Sequence, residues 1–222
     1  MLKRVFALAL LSLVLINQPG AAQDKPLERI VYAISPIGVS IYEDMGVVDM
    51  FSKKMNLVVF KTNVAGFHDT EKIYSDLGEP YPAWIERQVN MWLGEEFLIE
   101  RYFPKENRVL IKKFKNKKKV DEFNLKGNGP IHNAILLPFF LRKDPNLKIG
   151  WSTVIRLPAE YKVTLISLER VVVPAGTFNT FHFTSIPHSF EIWITADKDR
   201  IPVKIKGVGF SYTLVMQERS VK

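Results

Sequence analysis

Apolar and polar residues alternate in short segments along most of the chain, and this alternation restricts the fold more than any other feature. Residues 190–196, 201–206 and 210–216 show it most clearly, with an apolar residue at every second position. Side chains of a strand point alternately to the two faces of a sheet, so each segment predicts a strand with one buried face. The pattern therefore favours an all-β fold of antiparallel strands.

The predicted strands are numerous, and turn residues such as Pro174-Ala175-Gly176 separate them. They lie at residues 29–39, 40–50, 55–64, 83–92, 95–103, 108–114, 120–125, 151–157, 161–168, 169–173, 177–185, 189–195, 201–206 and 210–218. Residues 65–81 show no clear alternation, so we expect a loop there with at most one helical turn. A sheet with so many strands curls. We predict one domain over residues 23–222, built on a long, curved antiparallel sheet or open half-barrel.

Residues 131–142 (IHNAILLPFFLR) differ from the rest because they are nearly all apolar and do not alternate. Ile131, Ala134, Ile135 and Pro138 have the spacing of one helix face. We predict a short buried helix in which Pro138 bends the chain or ends the first half. Such a helix would cover one side of the curved sheet.

Residues 1–22 have the three parts of a secretory signal peptide. Lys3 and Arg4 give a positive start, residues 5–16 are almost all apolar, and Gly20-Ala21-Ala22 supplies small residues before a cleavage site. The apolar run is shorter than the roughly 20 residues of a transmembrane helix. We expect export, cleavage after Ala22 and no transmembrane span in the mature form. The chain has no cysteine, which excludes an N-terminal lipoprotein anchor and disulfides.

The formal net charge is +8, and much of the excess lies between residues 112 and 119. The cations of this run are Lys112, Lys113, Lys115, Lys117, Lys118 and Lys119. One interpretation is a contact with anionic lipid headgroups or another polyanion. The other is a lysine-rich hairpin that keeps the sheet soluble and protects an exposed edge. We do not expect a nucleic-acid partner, because an exported protein seldom meets one.

The sequence contains no recognisable catalytic motif. It lacks cysteine and a G-x-S-x-G segment, and adjacent carboxylates such as Glu95-Glu96 face opposite sides of a strand. His182 and His188 flank a predicted turn and could hold a metal with His132 or Glu191, but such a pair is usually polar surface. A second cluster, His68 with Asp69 and Glu71, falls in the predicted loop. We therefore predict no enzyme activity, no cofactor and no metal.

Aromatic side chains are the remaining candidates for a binding site. An apolar groove could hold an acyl chain or another hydrophobic ligand, although aromatics also simply fill a core. The candidate residues are Trp84, Trp92, Phe139, Phe140, Trp151, Phe181, Phe183 and Trp193. Alternation alone does not separate these two roles.

Three segments of the chain resemble a known family. Residues 169–178 (ERVVVPAGTF) are similar to its strand–turn–strand motif, and residues 192–204 are similar to its W-x-x-x-D-x-x-R-x-P-V-K hairpin. Residues 133–142, followed by Ile149-Gly150, resemble its apolar helix and the start of the next strand. The family is DUF3108, whose members are exported bacterial proteins of unknown function. The resemblance covers residues 29–218 and implies a periplasmic setting and a long, curved antiparallel sheet, but no activity.

Two hypotheses of function follow from these features. The first is a non-enzymatic periplasmic module that binds or carries a hydrophobic, lipid-like molecule, or that helps to assemble the envelope. The second is a structural module that recruits an envelope protein through a sheet edge or the basic hairpin of residues 112–119. A cavity large enough for a ligand would favour the first hypothesis.

Overall fold

The computed structural model describes residues 25–92, 94–207 and 212–222. The predicted signal peptide and the first residues of the predicted strand 210–218 lie outside the described residues. In the described part of the chain, no helix is long and apolar enough to cross a membrane.

Alternating residues form the strands of one antiparallel sheet. The fourteen strands of the described residues are β1 (Glu28–Ile34), β2 (Gly38–Met50), β3 (Lys53–Val64), β4 (Phe67–Asp76), β5 (Pro82–Met91), β6 (Gly94–Phe103), β7 (Arg108–Lys115), β8 (Lys118–Lys126), β9 (Ser152–Leu157), β10 (Ala159–Val173), β11 (Gly176–Ile186), β12 (Glu191–Thr195), β13 (Pro202–Lys206) and β14 (Thr213–Val221). A 3-10 turn at Pro104–Glu106 joins β6 to β7. The all-β prediction is confirmed.

The order of the strands follows the chain in two meanders. Strands β1 to β8 run outward in one direction and β14 to β9 in the other, while β1 and β14 pair at the centre. The two ends of the sheet are therefore β8 and β9. A connection over residues 127–151 joins these two edge strands and contains the helix α1 (Leu137–Leu141).

The predicted loop at residues 65–81 is wrong, because residues 67–76 form β4. The inner positions of this strand include Asp69, Glu71 and Ser75, which are buried but polar. Both faces of this strand carry polar residues, so apolar residues do not recur at every second position. A search for alternating apolar residues therefore does not detect the strand.

Further boundaries differ from the prediction. The first strand ends at Ile34 and the second begins at Gly38, so the break lies at residues 35–37 and not between residues 39 and 40. The segments 161–168 and 169–173 form one strand, β10, whose pairing with β11 shifts register between Leu165 and Ser167. The alternation is interrupted there, because Ile166 and Leu168 are exposed between the buried Leu165 and Val171, and the interruption imitates a break between strands. The helix α1 is shorter than the predicted 131–142, because the Asn133 side chain accepts hydrogen bonds from the N–H groups of Ile135 and Leu136 and holds a turn there.

The main core lies between α1 and one face of the sheet, which we call the inner face. Phe139 of α1 stacks on Tyr42 of β2 with 3.7 Å between ring centroids. Ile30, Leu165 and Phe183 are fully buried on the same face. The sheet continues beyond this core, and most residues of β8 are exposed. The inner face is therefore apolar around β1 and β14. Towards β4, β5 and β6 it also carries buried polar residues such as Asp69 and Glu71.

Candidate functional site

A cavity of about 390 Å³ lies on the inner face between strands β3 to β6 and the chain that leads into α1. This volume is within the range of roughly 300–1,000 Å³ that is usual for small-molecule sites. Its lining residues are Phe60, Thr62, Phe67, Asp69, Glu71, Arg87, Glu100, Asn133, Ala134, Ile135 and Tyr212. The cavity is the candidate functional site.

Strand register brings the charged residues of the cavity together. Glu71 of β4 lies opposite Phe60 of β3 and opposite Arg87 of β5. Asp69 is two residues before Glu71, so both carboxylates are on the same face of the strand. Glu100 reaches the same face from β6. Three neighbouring strands thus direct three carboxylates and one guanidinium to one place.

Arg87 is engaged mainly by Asp69. The Arg87 Nε donates to both oxygens of the Asp69 carboxylate at 3.1 Å, and Nη2 donates to Oδ2 at 2.6 Å. Such a two-pronged pair is among the stronger hydrogen-bonded ion pairs in proteins. Glu71 is farther from the cation, with Oε1 3.4 Å from Nε. The Arg87 guanidinium is therefore the neighbouring cation of both buried carboxylates, Asp69 and Glu71.

Burial leaves the other two carboxyl groups difficult to ionise. Burial raises the pKa of Glu71 to about 8 and outweighs the opposing charge of Arg87, while the smaller influences of Asp69 and Glu100 add to the rise. Burial also raises the pKa of Glu100, although the Tyr102 hydroxyl donates a hydrogen bond of 2.9 Å to its carboxylate. At neutral pH the cavity holds Glu71 protonated, and a cation placed there would favour its ionised form.

Apolar residues also line the cavity, among and beside the charged ones. Phe60 and Ile135 are buried, and Phe67 and Ala134 are half-buried. Thr62, Asn133 and Tyr212 complete the lining, so the cavity combines hydrocarbon groups with an acidic cluster.

The raised pKa of Glu71 predicts a pH-dependent effect of Glu71→Gln. Between the ordinary pKa of 4.5 and about 8, the folded state keeps a proton that the unfolded state loses, so stability falls as pH rises through this interval. The glutamine cannot ionise. We therefore compare the unfolding free energy of the variant with that of wild type. We expect this difference to shift in favour of the variant by at least about 2 kcal/mol as pH rises from 4 to 9. Urea unfolding of both proteins at each pH measures this, and a difference that does not change with pH would contradict it.

The predicted ligand-binding aromatics of the first half of the chain do not face the cavity. Trp84 lies on the outer face and meets Phe51 edge-on at 5.4 Å, while its indole N–H donates to Glu86. Trp92 is 87 % exposed in the turn between β5 and β6. These two side chains therefore sit apart from one another and from the inner face.

The remaining six candidate aromatics are spread over the core and the outer face. Phe139 and Phe183 are buried, and Phe140, Trp151 and Phe181 pack against the core. Trp193 is buried on the outer side of β12, where it stacks on His182 at 4.3 Å and donates to Glu169. The eight aromatics are thus distributed over several strands and both faces, and they do not form one site.

The histidines that we considered for a metal site are also apart. His182 lies between Glu169 and Glu191, with N–O distances of 3.4 and 3.5 Å, whereas the His188 ring contacts Thr184. His132 is at the edge of β9, where its Nδ1 accepts a hydrogen bond from the N–H of Arg156. Within residues 25–92, 94–207 and 212–222, no group of three or more possible ligands is arranged to hold a metal ion.

The residues of the cavity were missed in the sequence for identifiable reasons. Asp69 and Glu71 fell in the predicted loop, and their neighbour His68 points away from them to bond Asn63. A usable signal existed on β5, where Arg87 stands between Ile85 and Val89 on the buried face. A charged residue at an apolar position of a strand is expensive unless it has partners, so it marks a buried polar cluster.

Comparison with known proteins identifies the class of fold. No family model matches the chain, and no curated protein matches it either. A solved structure, a beta-barrel-like protein of the domain of unknown function DUF1849 from Brucella abortus, is similar with a TM-score of 0.52 and 10 % identity. The match covers 89 % of this chain and 99 % of that chain. The chain therefore has a β-barrel-like fold, and its resemblance to DUF3108 stays a prediction.

Proposed function

We propose that this protein is a non-enzymatic binding module that holds a small amphipathic molecule in the inner-face cavity. The observation that carries the proposal is that one cavity combines the apolar residues Phe60, Phe67 and Ile135 with the acidic residues Glu71 and Glu100, which we call the acidic wall. An alkyl or aromatic body fits the apolar residues. A cationic or hydrogen-bond-donating end fits the acidic wall.

The charges of the acidic wall favour a cationic end. Arg87 donates its hydrogen bonds to Asp69 and lies only at ion-pair distance from Glu71, so a ligand ammonium or guanidinium would supply the cation that Glu71 and Glu100 lack. An anionic ligand would instead disfavour the ionised forms of Glu71 and Glu100 further. This proposal narrows the hydrophobic-ligand hypothesis to an amphipathic cation.

An envelope setting is part of the proposal. It is supported by the signal-peptide features of residues 1–22 and by the resemblance of residues 131–206 to exported proteins. The non-enzymatic role is supported by the absence of a recognisable catalytic motif from the sequence.

The test uses three probes of equal chain length and different head group: n-octylamine, n-octanol and octanoate. We expect calorimetry to show the amine binding most tightly and octanoate at least tenfold more weakly than the amine. Affinity for the amine should rise as pH increases towards about 8, because binding is coupled to ionisation of Glu71. The substitution Glu71→Gln should flatten that pH dependence.

Two variants locate the binding. Ala134→Phe places a ring in the cavity and should abolish binding of the amine. Glu86→Gln makes the same substitution as Glu71→Gln but on the outer face of β5, so it should leave binding unchanged. The proposal would fail if octanoate bound as tightly as the amine. It would also fail if the Ala134→Phe variant still bound the amine.

A further inference from the structure

One end of the sheet carries exposed cations beside exposed aromatic rings. The turns between β5 and β6 and between β7 and β8 lie side by side there, because β6 pairs with β7. We call this surface the hairpin-tip patch. It consists of Trp92, Lys115, Lys117 and Lys118, together with an outer-face groove formed by Phe97, Ile99 and Phe114.

The lysines at the base of the basic hairpin are matched by acids. The Lys113 Nζ lies 2.7 Å from the Glu96 carboxylate. The Lys119 Nζ lies 3.0 Å from Glu122, which is also the register partner of Lys112. This part of the predicted basic run is therefore close to neutral.

The lysines at the tip are not matched in this way. Among the described residues, no carboxylate lies within 4.0 Å of the ammonium group of Lys115, Lys117 or Lys118. Lys115 and Lys118 are direct register partners across the hairpin, and Glu96, the register partner of Lys115 on β6, is bound by Lys113 instead. Like charges at opposed positions destabilise a strand pair. A cost of this kind, without a compensating contact in the fold, is characteristic of a surface that meets an anionic partner.

Trp92 extends from the adjacent turn with 87 % of its surface exposed. Its indole lies over Gly66 in the turn between β3 and β4, where a Cβ atom would come within 1.4 Å of the indole Nε1. Glycine at this position therefore allows the ring to rest on the neighbouring turn. Tryptophan is enriched where proteins meet the interface between lipid and water.

The groove next to the tip supplies an apolar surface. It has a volume of about 660 Å³ on the outer face, and the Phe97 and Phe114 rings are 6.1 Å apart along it. Lys117 stands at its end, while Glu95 on its wall is occupied by a hydrogen bond of 2.6 Å from Gln88. The groove thus adds hydrocarbon contact beside the unmatched cations.

We propose that the hairpin-tip patch docks on an anionic lipid surface. Lys115, Lys117 and Lys118 contact the headgroup phosphates, and Trp92 lies at the level of the headgroups. A soluble polyanion would need only the cations, whereas the exposed indole and the phenylalanine groove favour a surface with an apolar layer beneath its charges. This docking is independent of the cavity, since the groove is on the other face of the sheet and the cavity and the groove share no lining residue.

The experiment measures binding of the purified protein to phosphatidylcholine vesicles with and without phosphatidylglycerol, by co-sedimentation and tryptophan fluorescence. We expect binding only to the anionic vesicles, with a blue shift of the emission. Binding should weaken strongly in about 1 M salt, where charges are screened beyond roughly 3 Å. All variants carry the same N terminus, so any contribution of residues 1–24 cancels between them.

Matched variants separate the patch from the overall charge. The triple substitution K115Q/K117Q/K118Q should reduce the partition coefficient about 100-fold, since each lysine near an anionic surface contributes about fivefold. The control K54Q/K72Q/K105Q removes three exposed lysines from other parts of the sheet and should change it less than fivefold. Trp92→Ala should weaken binding by about tenfold and remove the blue shift.

Three results would overturn the proposal. The first is equal binding to neutral and anionic vesicles. The second is an equal loss in the two triple variants, which would indicate net charge alone. The third is tight binding to heparin without binding to vesicles, which would identify a site for a soluble polyanion.

Discussion

Replacing the half-buried Arg87 with methionine is expected to lower the free energy of unfolding by about 2 kcal/mol at neutral pH, because it leaves the buried Asp69 carboxylate without a compensating charge. Asp69 would lose its bidentate partner, and Glu71 would lose its nearest cation. Both carboxylates are buried. Urea unfolding followed by fluorescence measures the loss.

The control for this prediction is Arg101→Met on the next strand. Arg101 is exposed on the outer face, where it lies over the Phe103 ring, so its loss should cost less than about 1 kcal/mol. Adding Asp69→Asn to Arg87→Met should restore part of the stability, since it removes the uncompensated charge. Equal losses for the two arginine variants would contradict a buried ionic role for Arg87.

The class of fold could be predicted from the sequence because the alternation of a half-buried strand depends only on residues within that strand. Residues 201–206 show this well, since Ile201, Val203 and Ile205 are buried while Lys206 is exposed, as their alternation requires. The antiparallel meanders follow from short turns between such segments. The pairing of β1 with β14 could not be predicted in the same way. It joins Glu28 to Val221, and no local pattern records a contact between such distant residues.

The alternation in β4 did not predict the candidate site, because this strand carries polar residues on both of its faces. In β4 the buried Asp69 and Glu71 alternate with Thr70 and the exposed Lys72, so hydrophobicity has no period there. Their burial becomes intelligible only when Arg87 of the neighbouring strand is placed beside them. Register between strands, and not the composition of any one strand, creates the cavity and its acidic wall.

A second buried carboxylate, Glu28, joins three distant parts of the chain. Its Oε2 accepts a hydrogen bond of 2.8 Å from Arg142, at the end of α1, and its Oε1 accepts one of 2.8 Å from Arg219 in β14. The side chain is 7 % exposed. Burial alone would raise the pKa of Glu28, but the hydrogen bonds and charges of the two arginines outweigh burial and lower it.

Glu28→Gln is therefore expected to cost about 3 kcal/mol at pH 7, because two guanidinium groups lose their shared anion in a largely buried setting. The lowered pKa fixes the direction of the pH dependence: the contribution of Glu28 is complete above its ordinary pKa of 4.5 and is lost as pH falls through the folded-state pKa. The difference in unfolding free energy between variant and wild type should therefore become smaller in acid. Urea unfolding at pH 7 and pH 3 measures this difference. Glu218→Gln is the matched control, since Glu218 is 65 % exposed and 3.9 Å from Arg29, and it should cost less than about 1 kcal/mol. A gap of equal size at both pH values would show that Glu28 acts through its shape and not its charge.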